Sequence, residues 1–361
     1  MSPSAALHRI GISLGNMGSL HDGLGEFALQ MGQRIAAVAP AWRERDGIAF
    51  DFHARTQLHG VFGNDVGYLP VTFGQRLRHV QPQRYALWHS LHQLNKTLPP
   101  QGCGPRLVTV HDLNYVYKPN AFSRWRDARR AQALMRRSDH LLAISHYTAA
   151  DVRRHLHWTG PLDVIYRGPR PLDRITPKPL AGVGTSGRPF FFHLSRMSRS
   201  KNPQAIIALA AAWPEMDFLF CGPPTDDAQA LRAATSLPNV HFHFAISDAQ
   251  KAWAYAHCTA FIFPSFTEGF GLPPIEAMQF GKPVFLSRLT SLPEVGGDAA
   301  FYFDDWQPLA MRRVVEAGLE RARDPAWAEV VKRHAARFDW VRAADQYLAL
   351  YRRLAGIDRP Q

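Results

Sequence analysis

A chain of 361 residues, 46% apolar and 20% charged, has the length of two compact domains, and this composition excludes wholesale disorder, a collagen-like fibre or a small disulfide-stapled scaffold. No apolar run reaches the roughly 18 residues that a bilayer-spanning helix needs. MSPSAALHRIGISLG lacks a signal-peptide pattern, and Cys103, Cys221 and Cys258 lie far apart, so a cytoplasmic protein with reduced thiols is expected. The formal charge of +12 is one-sided: residues 1–180 hold 23 Lys/Arg against 12 Asp/Glu, and residues 181–361 hold 19 against 18. Such a field suits an anionic partner: a membrane face, a phosphorylated glycan or a nucleic acid.

In chain order, short apolar runs predict strands at Arg9–Leu14, Arg106–Val110, His140–Ile144 and Asp163–Tyr166. After a break they recur at Phe190–Leu194, Asp217–Phe220, Val240–Phe244, Ala260–Phe263 and Pro283–Leu286. Continuously apolar strands of four to six residues fit a parallel sheet covered on both faces. Helical periodicity predicts helices over 25–37, 124–137, 202–212, 248–256 and 275–280, and an amphipathic closing helix follows Trp340. Alternation of this kind means an α/β fold with parallel sheets. The Pro/Gly-rich stretch 168–189 has no apolar face and reads as a connector. The expected division is therefore a first domain over 1–172, a linker over 173–188 and a second domain over 189–340, with the closing helix at 341–356. Gly182-Val-Gly-Thr-Ser-Gly187 matches the dinucleotide fingerprint but lies between Pro179 and Pro189 in that connector. It does not join a strand to a helix, so it is read as linker.

The most informative stretch runs from Phe261 to Met278. A buried strand ends at Pro264, a polar Gly-rich turn follows, and a helix begins near Pro273–Pro274, as proline in a first helical turn indicates. Backbone N–H groups of the Gly269–Leu272 turn and the helix dipole would face out of the strand's carboxyl end, where α/β sheets bind phosphates. Glu268 lies at the mouth of this turn, and Glu276, about one turn inside the helix, is placed to accept from a ribose diol; both acids also fit simple dipole complementation. A second strand–turn–helix, from Phe190 to Pro203, carries Arg196 and Lys201, two cations suited to a diphosphate or to a solvated loop. In the first half, His111 and Asp112 follow a buried strand. His111 there is suited to donate to a reacting sugar or position an acceptor, with Asp112 orienting a neighbour, or to serve as a satisfied core histidine. Gly23 and Gly25 belong to a Gly-rich turn after the first strand, suited to close approach of a ligand or to a plain loop. His241 and His243 share a strand face, but no partners stand at metal-ligand spacing, and no G-x-S-x-G elbow marks a hydrolase.

Together these motifs resemble glycosyltransferase family 4, the retaining GT-B enzymes with an E-x7-E signature. Glu268-Gly-Phe-Gly-Leu-Pro-Pro-Ile-Glu276 carries the likeness. Arg196, Lys201-Asn, Phe220-Cys-Gly-Pro, Gly281-Lys-Pro-Val and Ser291-Leu-Pro-Glu294 stand in the same order, and Thr109-Val-His111 and Ala143-Ile-Ser145 extend it into the first half. The resemblance implies two doubly wound Rossmann-like domains facing across a cleft, with the C-terminal helix crossing back to the first. It also implies site roles. Arg196 and Lys201 hold the donor diphosphate, Glu268 contacts the donor sugar beside the amides of Phe270, Gly271 and Leu272, and Glu276 binds the ribose. His111 faces the sugar from the first domain, with Gly23, Gly25 and Asp112 on the acceptor side, and the base rests near Ala245–Ile246. Two departures stand out: Tyr166-Arg-Gly-Pro169 replaces the usual small residues of the hinge, and Ala245 stands where glycine is common.

The expected function is transfer of a hexose from a nucleotide-diphosphate sugar, of GDP-mannose or UDP-hexose type, to a glycan or lipid-linked acceptor in bacterial polysaccharide assembly. The resemblance implies no cofactor and no metal, because cations replace the ion at the diphosphate. The basic first half points to an anionic acceptor and to the inner-membrane surface, with Arg124, Arg126, Arg129, Arg130, Arg136 and Arg137 flanking Phe122 and Trp125. The alternatives are another GT-B nucleotide-sugar enzyme, epimerase- or phosphorylase-like, or a basic nucleic-acid-binding protein; no nucleic-acid motif accompanies the charge, so no nucleic-acid partner is expected.

Overall fold

The computed structural model describes residues 7–20, 23–117, 120–180 and 187–357. Its contacts divide the chain into two units, residues 1–167 with 339–361, and residues 168–338. The first contains β1 (His8–Ser13), α1 (Gly23–Asp46), β2 (Ile48–Ala54), β3 (Gly67–Pro70), β4 (Tyr85–Ser90), β5 (Arg106–Val110), α2 (Ala121–Met135), β6 (His140–Ala143), α3 (His146–Leu156) and β7 (Leu162–Val164). The second contains β8 (Phe190–Leu194), α4 (Pro203–Ala211), β9 (Asp217–Gly222), α5 (Asp226–Ala233), β10 (Val240–Phe244), α6 (Asp248–His257), β11 (Ala260–Phe263), α7 (Leu272–Gln279), β12 (Val284–Ser287), α8 (Leu292–Gly296), β13 (Phe301–Phe303), α9 (Pro308–Arg321) and α10 (Pro325–Ala335). The last helix, α11 (Trp340–Ala355), returns to the first unit.

Each sheet is parallel throughout. The order is β3-β2-β1-β4-β5-β6-β7 in the first unit and β10-β9-β8-β11-β12-β13 in the second. In each, the chain starts in mid-sheet, winds to one edge and then resumes on the other side of its first strand, which creates a switch point at the strands' carboxyl ends. Near-continuous apolar strands fill both cores, with Ile10, Ile12, Phe50 and Phe52 in the first and Phe191, Phe218, Phe220 and Ile262 in the second. Gly11 is required by a close approach: a Cβ there would stand 2.1 Å from the Trp88 ring on the neighbouring strand.

Two buried strands went unread in the sequence for one reason. In β2, Asp51 and His53 interrupt the apolar run, and β4 carries His89. All three are satisfied across the sheet. Asp51 accepts from Arg9 at 2.8 Å and from the Tyr85 hydroxyl at 3.0 Å. His53 bridges Ser13 and Gln75 at 2.9 Å each. His89 bonds Thr109 at 2.8 Å and the Tyr351 hydroxyl of α11 at 2.6 Å. Together with Trp340 and Tyr347 packed on Phe27, that last bond fastens α11 to the first unit.

The expected linker is corrected by the structure. Residues 168–180 are packed on the second unit: Leu172 is fully buried, Arg170 pairs with Asp248 at 2.6 Å, and the Lys178 amide donates to the Ala249 carbonyl at 2.9 Å. The division accordingly falls after Arg167, not after Leu172. Regularly spaced apolar residues are not needed for such docking; two buried leucines, Leu172 and Leu180, and these two polar contacts hold it. The Gly182–Ser186 part of the glycine motif lies outside the described residues.

Burial holds four histidines neutral. His89 and His111 are pushed down to about 3, and His53 and His193 to about 4. An unfolded histidine titrates near 6.5. Below that pH the unfolded chain takes up protons that the native chain refuses, so stability is complete above about 6.5 and falls as pH drops toward the native values. Each such histidine removes up to about 1.4 kcal/mol per pH unit in that window. Three of the four belong to the first unit. Hydrogen exchange at pH 7 and pH 5, corrected for intrinsic rates, is therefore expected to show the first unit losing more protection; equal loss in both units would refute this.

Candidate active site

The switch point of the second unit lies between β8, which pairs with β9 on one side, and β11 on the other. The loops leaving β8 and β11 meet there. The Phe266 amide donates to the Ser200 carbonyl at 2.8 Å, and Lys201 Nζ reaches Glu268 Oε1 at 2.5 Å. Both side chains of this ion pair are mostly shielded, 15% and 12% exposed. Arg196, on the same β8 loop, is exposed. Two residues read separately in the sequence, 67 positions apart, are thus one charged pair at the mouth of the site.

The β8 loop has a built geometry. Met197 adopts a left-handed backbone, φ +56°, while buried to 1%. Its amide donates to Ser195 Oγ at 2.9 Å, and Ser195 Oγ stands 2.7 Å from His193 Nε2. His193 Nδ1 lies 2.9 Å from the Ile262 carbonyl of β11, which only accepts. The Nδ1 proton must point at that carbonyl, which leaves Nε2 to accept from Ser195. This chain ties β11 to the loop that carries Arg196. Glycine at 222 is also required here, since a Cβ would stand 1.9 Å from the Ser195 carbonyl.

On the other side, Gly271 takes φ +110° and caps α7, with prolines following in its first turn. The first N–H groups of a helix have no carbonyl of their own helix to bind, and they make its start an anion site when it faces a pocket. The Glu268 amide donates to Thr290 Oγ1 at 3.0 Å. Ser291 donates to the carbonyls of Glu268 and Phe270 at 3.0 and 2.8 Å, while the Phe270 ring is buried against Phe338. Leu272, the first residue of α7, is half-buried.

Glu276 lies in the second turn of α7, buried, and its Oε2 accepts from the Tyr255 hydroxyl at 2.8 Å. Burial raises its pKa, while that hydrogen bond and the cations Lys251 and Arg170 act the other way. Both cations pair with Asp248, at 2.8 and 2.6 Å. The loop before α6 holds Ala245, exposed and left-handed at φ +53°, and Ile246, half-buried. A left-handed position explains why glycine would sit more easily at 245.

The remaining sequence-predicted residues belong to the first unit. His111 is buried; its Nε2 lies 2.8 Å from the Leu91 carbonyl and so carries the proton. Its Nδ1 has no partner among the described residues. This corrects the expected donor: the neutral ring presents only an acceptor, and burial, with the nearby Arg167 charge, keeps it neutral. The Asp112 carboxylate accepts from the Asn114 amide at 2.9 Å in a local turn. Gly25 approaches its own turn, a Cβ there lying 2.4 Å from the Ser19 carbonyl, whereas a Cβ at Gly23 would meet open space. His193, Ser195, Tyr255, Thr290 and Ser291 were missed as site residues. A histidine in the otherwise apolar Phe190–Leu194 strand was the one available signal.

Among the described residues, no group of three or more His, Cys, Asp or Glu side chains gathers as metal ligands. No described helix is long and apolar enough to cross a membrane.

Comparisons with known proteins match both halves of the chain to glycosyltransferase profiles. A profile of glycosyl transferases group 1 matches residues 183–319, and one of glycosyltransferase family 4 matches residues 23–169. O-antigen chain mannosyltransferase B of Escherichia coli is 36% identical over 113 residues, which are 30% of this chain and 29% of that protein. Serotype-specific mannosyltransferase WbdA of Escherichia coli is 41% identical over 115 residues, 30% of this chain and 14% of that protein. The chain thus matches less than a third of the length of these two relatives. O-antigen chain mannosyltransferase RfbU of Salmonella typhimurium is 26% identical over 277 residues, 68% of this chain and 75% of that protein. Among solved structures, sucrose-phosphate synthase from Thermosynechococcus elongatus has TM-score 0.70 at 20% identity, covering 97% of this chain and all of that one. Anabaena HepE in complex with UDP-glucose has TM-score 0.64 at 18% identity, covering 95% and 98%. Likeness at that identity concerns the fold.

Proposed function

We propose, because the chain belongs to glycosyltransferase family 4 and has the Rossmann-like units of the GT-B class, that it is a retaining hexosyltransferase using a nucleotide-diphosphate sugar. The observation that carries this reading is the switch-point site of the second unit. Lys201 and Arg196 stand on one loop there, Glu268 and the start of α7 on the next, and Glu276 lies behind. Cleaving a sugar–diphosphate bond builds negative charge on the leaving phosphate and positive charge on the sugar. Preorganised cations and helix amides at the phosphate stabilise that state without reorganising. Lys201 and Arg196 take that role, with no metal required. Glu268 faces the sugar, Glu276 the ribose, and Ala245–Ile246 the base. His111 Nδ1 accepts from a sugar hydroxyl.

The relatives named as O-antigen chain and serotype-specific mannosyltransferases support mannose as the sugar and polysaccharide assembly as the setting. The basic first unit supports an anionic glycan or lipid-linked acceptor, met at the cytoplasmic face of the membrane. Thermal shift against GDP, UDP, ADP and dTDP tests the donor. A nucleotide at 100 times its dissociation constant adds about 2.7 kcal/mol of stability. Transfer from the matching sugar nucleotide should then survive EDTA and give a product of unchanged anomeric configuration by NMR. Loss in EDTA restored by magnesium would remove the cationic role of Lys201 and Arg196, and an inverted product would remove retention.

A further inference from the structure

Helix α2 has an unusual outer face. Asp127, Ala131, Leu134 and Met135 are buried, whereas Phe122 is 66% and Trp125 53% exposed. The two rings stack on each other with centroids 5.7 Å apart, and the Arg129 guanidinium lies 5.1 Å above Trp125. Phe122, Trp125, Arg129 and Arg136 follow helical spacing along one outward row. Between 121 and 137 there are six arginines and one acid, Asp127, which Arg126 and Arg130 share at 3.1 and 3.5 Å. An isolated core-packing helix has no use for two large stacked aromatics in water beside a net charge of +5.

A cavity of about 380 Å³ opens on the flank of the same helix. Tyr115, Val116, Trp125 and Ala128 form its apolar wall, and Arg124 and His155 are its charged or titratable members. Tyr115 is 4% exposed, yet its hydroxyl has no hydrogen-bond partner among the described residues. An apolar slot with a buried, unused hydroxyl and arginines around it matches an amphiphile with a hydrocarbon body and an anionic head. Aromatic and arginine side chains on one face of a helix are what the headgroup–acyl boundary of a bilayer accommodates.

We infer that α2 docks the protein on an anionic lipid bilayer, with Phe122 and Trp125 at the acyl boundary, the arginines on lipid phosphates and one acyl chain in the cavity beside Tyr115. This deepens the reading of a membrane-side acceptor and rests on it only for the reason the protein visits a membrane; the surface itself belongs to the first unit and uses none of the donor-site residues. The committed occupant is a bilayer lipid. A soluble acidic polysaccharide is the competing one, and the charge excess alone would serve either. The exposed aromatic pair and the apolar cavity favour the lipid.

The test is co-sedimentation of the full chain with phosphatidylcholine vesicles with and without phosphatidylserine, alongside binding to soluble polygalacturonate. Binding is expected only to the anionic vesicles, weakening as salt rises. Arg129→Gln with Arg136→Gln should lower the partition coefficient roughly 30-fold, at the worth of two basic residues near an anionic surface. Phe122→Ser with Trp125→Ser should lower it at least as much. Ala128→Phe, which fills the cavity, should abolish quenching of Trp125 by bromine-labelled acyl chains. Unchanged melting and nucleotide-induced thermal shift in every variant would show that fold and donor site are intact, so failure here leaves the donor reading untouched. Vesicle binding that ignores phosphatidylserine, or that survives both double variants, overturns the proposal. Binding to polygalacturonate without binding to vesicles also overturns it and assigns the arginines to a polymer.

Discussion

Lys201→Met is expected to lower kcat/KM for the donor about 10²- to 10³-fold, the cost of removing one preorganised group from a developing oxyanion. Glu268→Gln should behave differently, although the two residues form one ion pair at 2.5 Å. In the ligand-free protein Glu268 holds Lys201, so a diphosphate must compete for that ammonium. Neutralising Glu268 frees Lys201, and binding of free nucleoside diphosphate should stay level or tighten while kcat falls. The double variant K201M/E268Q separates function from structure. Either single change leaves one shielded charge without its partner and should destabilise. The double change removes both charges and should regain stability while remaining inactive. Nucleotide affinity, kcat and urea midpoints on the three variants decide the matter. If E268Q turns over normally, Glu268 does not face the reacting sugar, and if the double variant is active, neither residue belongs to the catalytic machinery.

Glu276→Gln is expected to raise donor KM on the order of 10- to 150-fold with kcat nearly kept. A ribose hydroxyl bonded to a carboxylate is worth about 1.5–3 kcal/mol and does not change during the reaction. The structure adds a stability prediction of the opposite sign. The carboxylate is buried and its pKa raised by that burial, so exchanging it for an isosteric amide that still accepts from Tyr255 at 2.8 Å should leave stability level or improve it. Because the acid's pKa lies above its ordinary value, a falling pH protonates Glu276 early and should raise the wild-type donor KM. Gln cannot titrate, so that rise should be absent from the variant. Lower stability with an unchanged KM would instead identify Glu276 as a packing residue of α7.

These two experiments lean on residues of different legibility. Glu268 and Glu276 could be read from one contiguous run because Gly269, Gly271 and the two prolines mark the turn and helix start locally. The same holds for the alternation of apolar runs and helical patterns, which forces parallel α/β units whatever the final packing. The loop carrying Arg196 and Lys201 was visible for the same reason: strand end, polar turn and helix start succeed one another within the chain.

What the tertiary structure decided was which groups satisfy one another. The pairing of Lys201 with Glu268 depends on β8 and β11 becoming neighbours across the switch point, and no local pattern encodes that adjacency. β2 and β4 were hidden because their buried Asp51, His53 and His89 look like surface residues until Arg9, Ser13 and, 262 positions away, Tyr351 supply partners. His111 could be read as a donor, as positioning an acceptor or as a satisfied core histidine; the Leu91 carbonyl takes its proton and leaves Nδ1 with no partner among the described residues. The connector after Arg167 looked free because its docking needs two buried leucines, a salt bridge and a single backbone bond to α6, not periodicity. Hydrophobic periodicity is written in neighbouring residues and survives in a single sequence. Hydrogen-bond partnership and the protonation that follows from it are properties of residues brought together only when the chain folds.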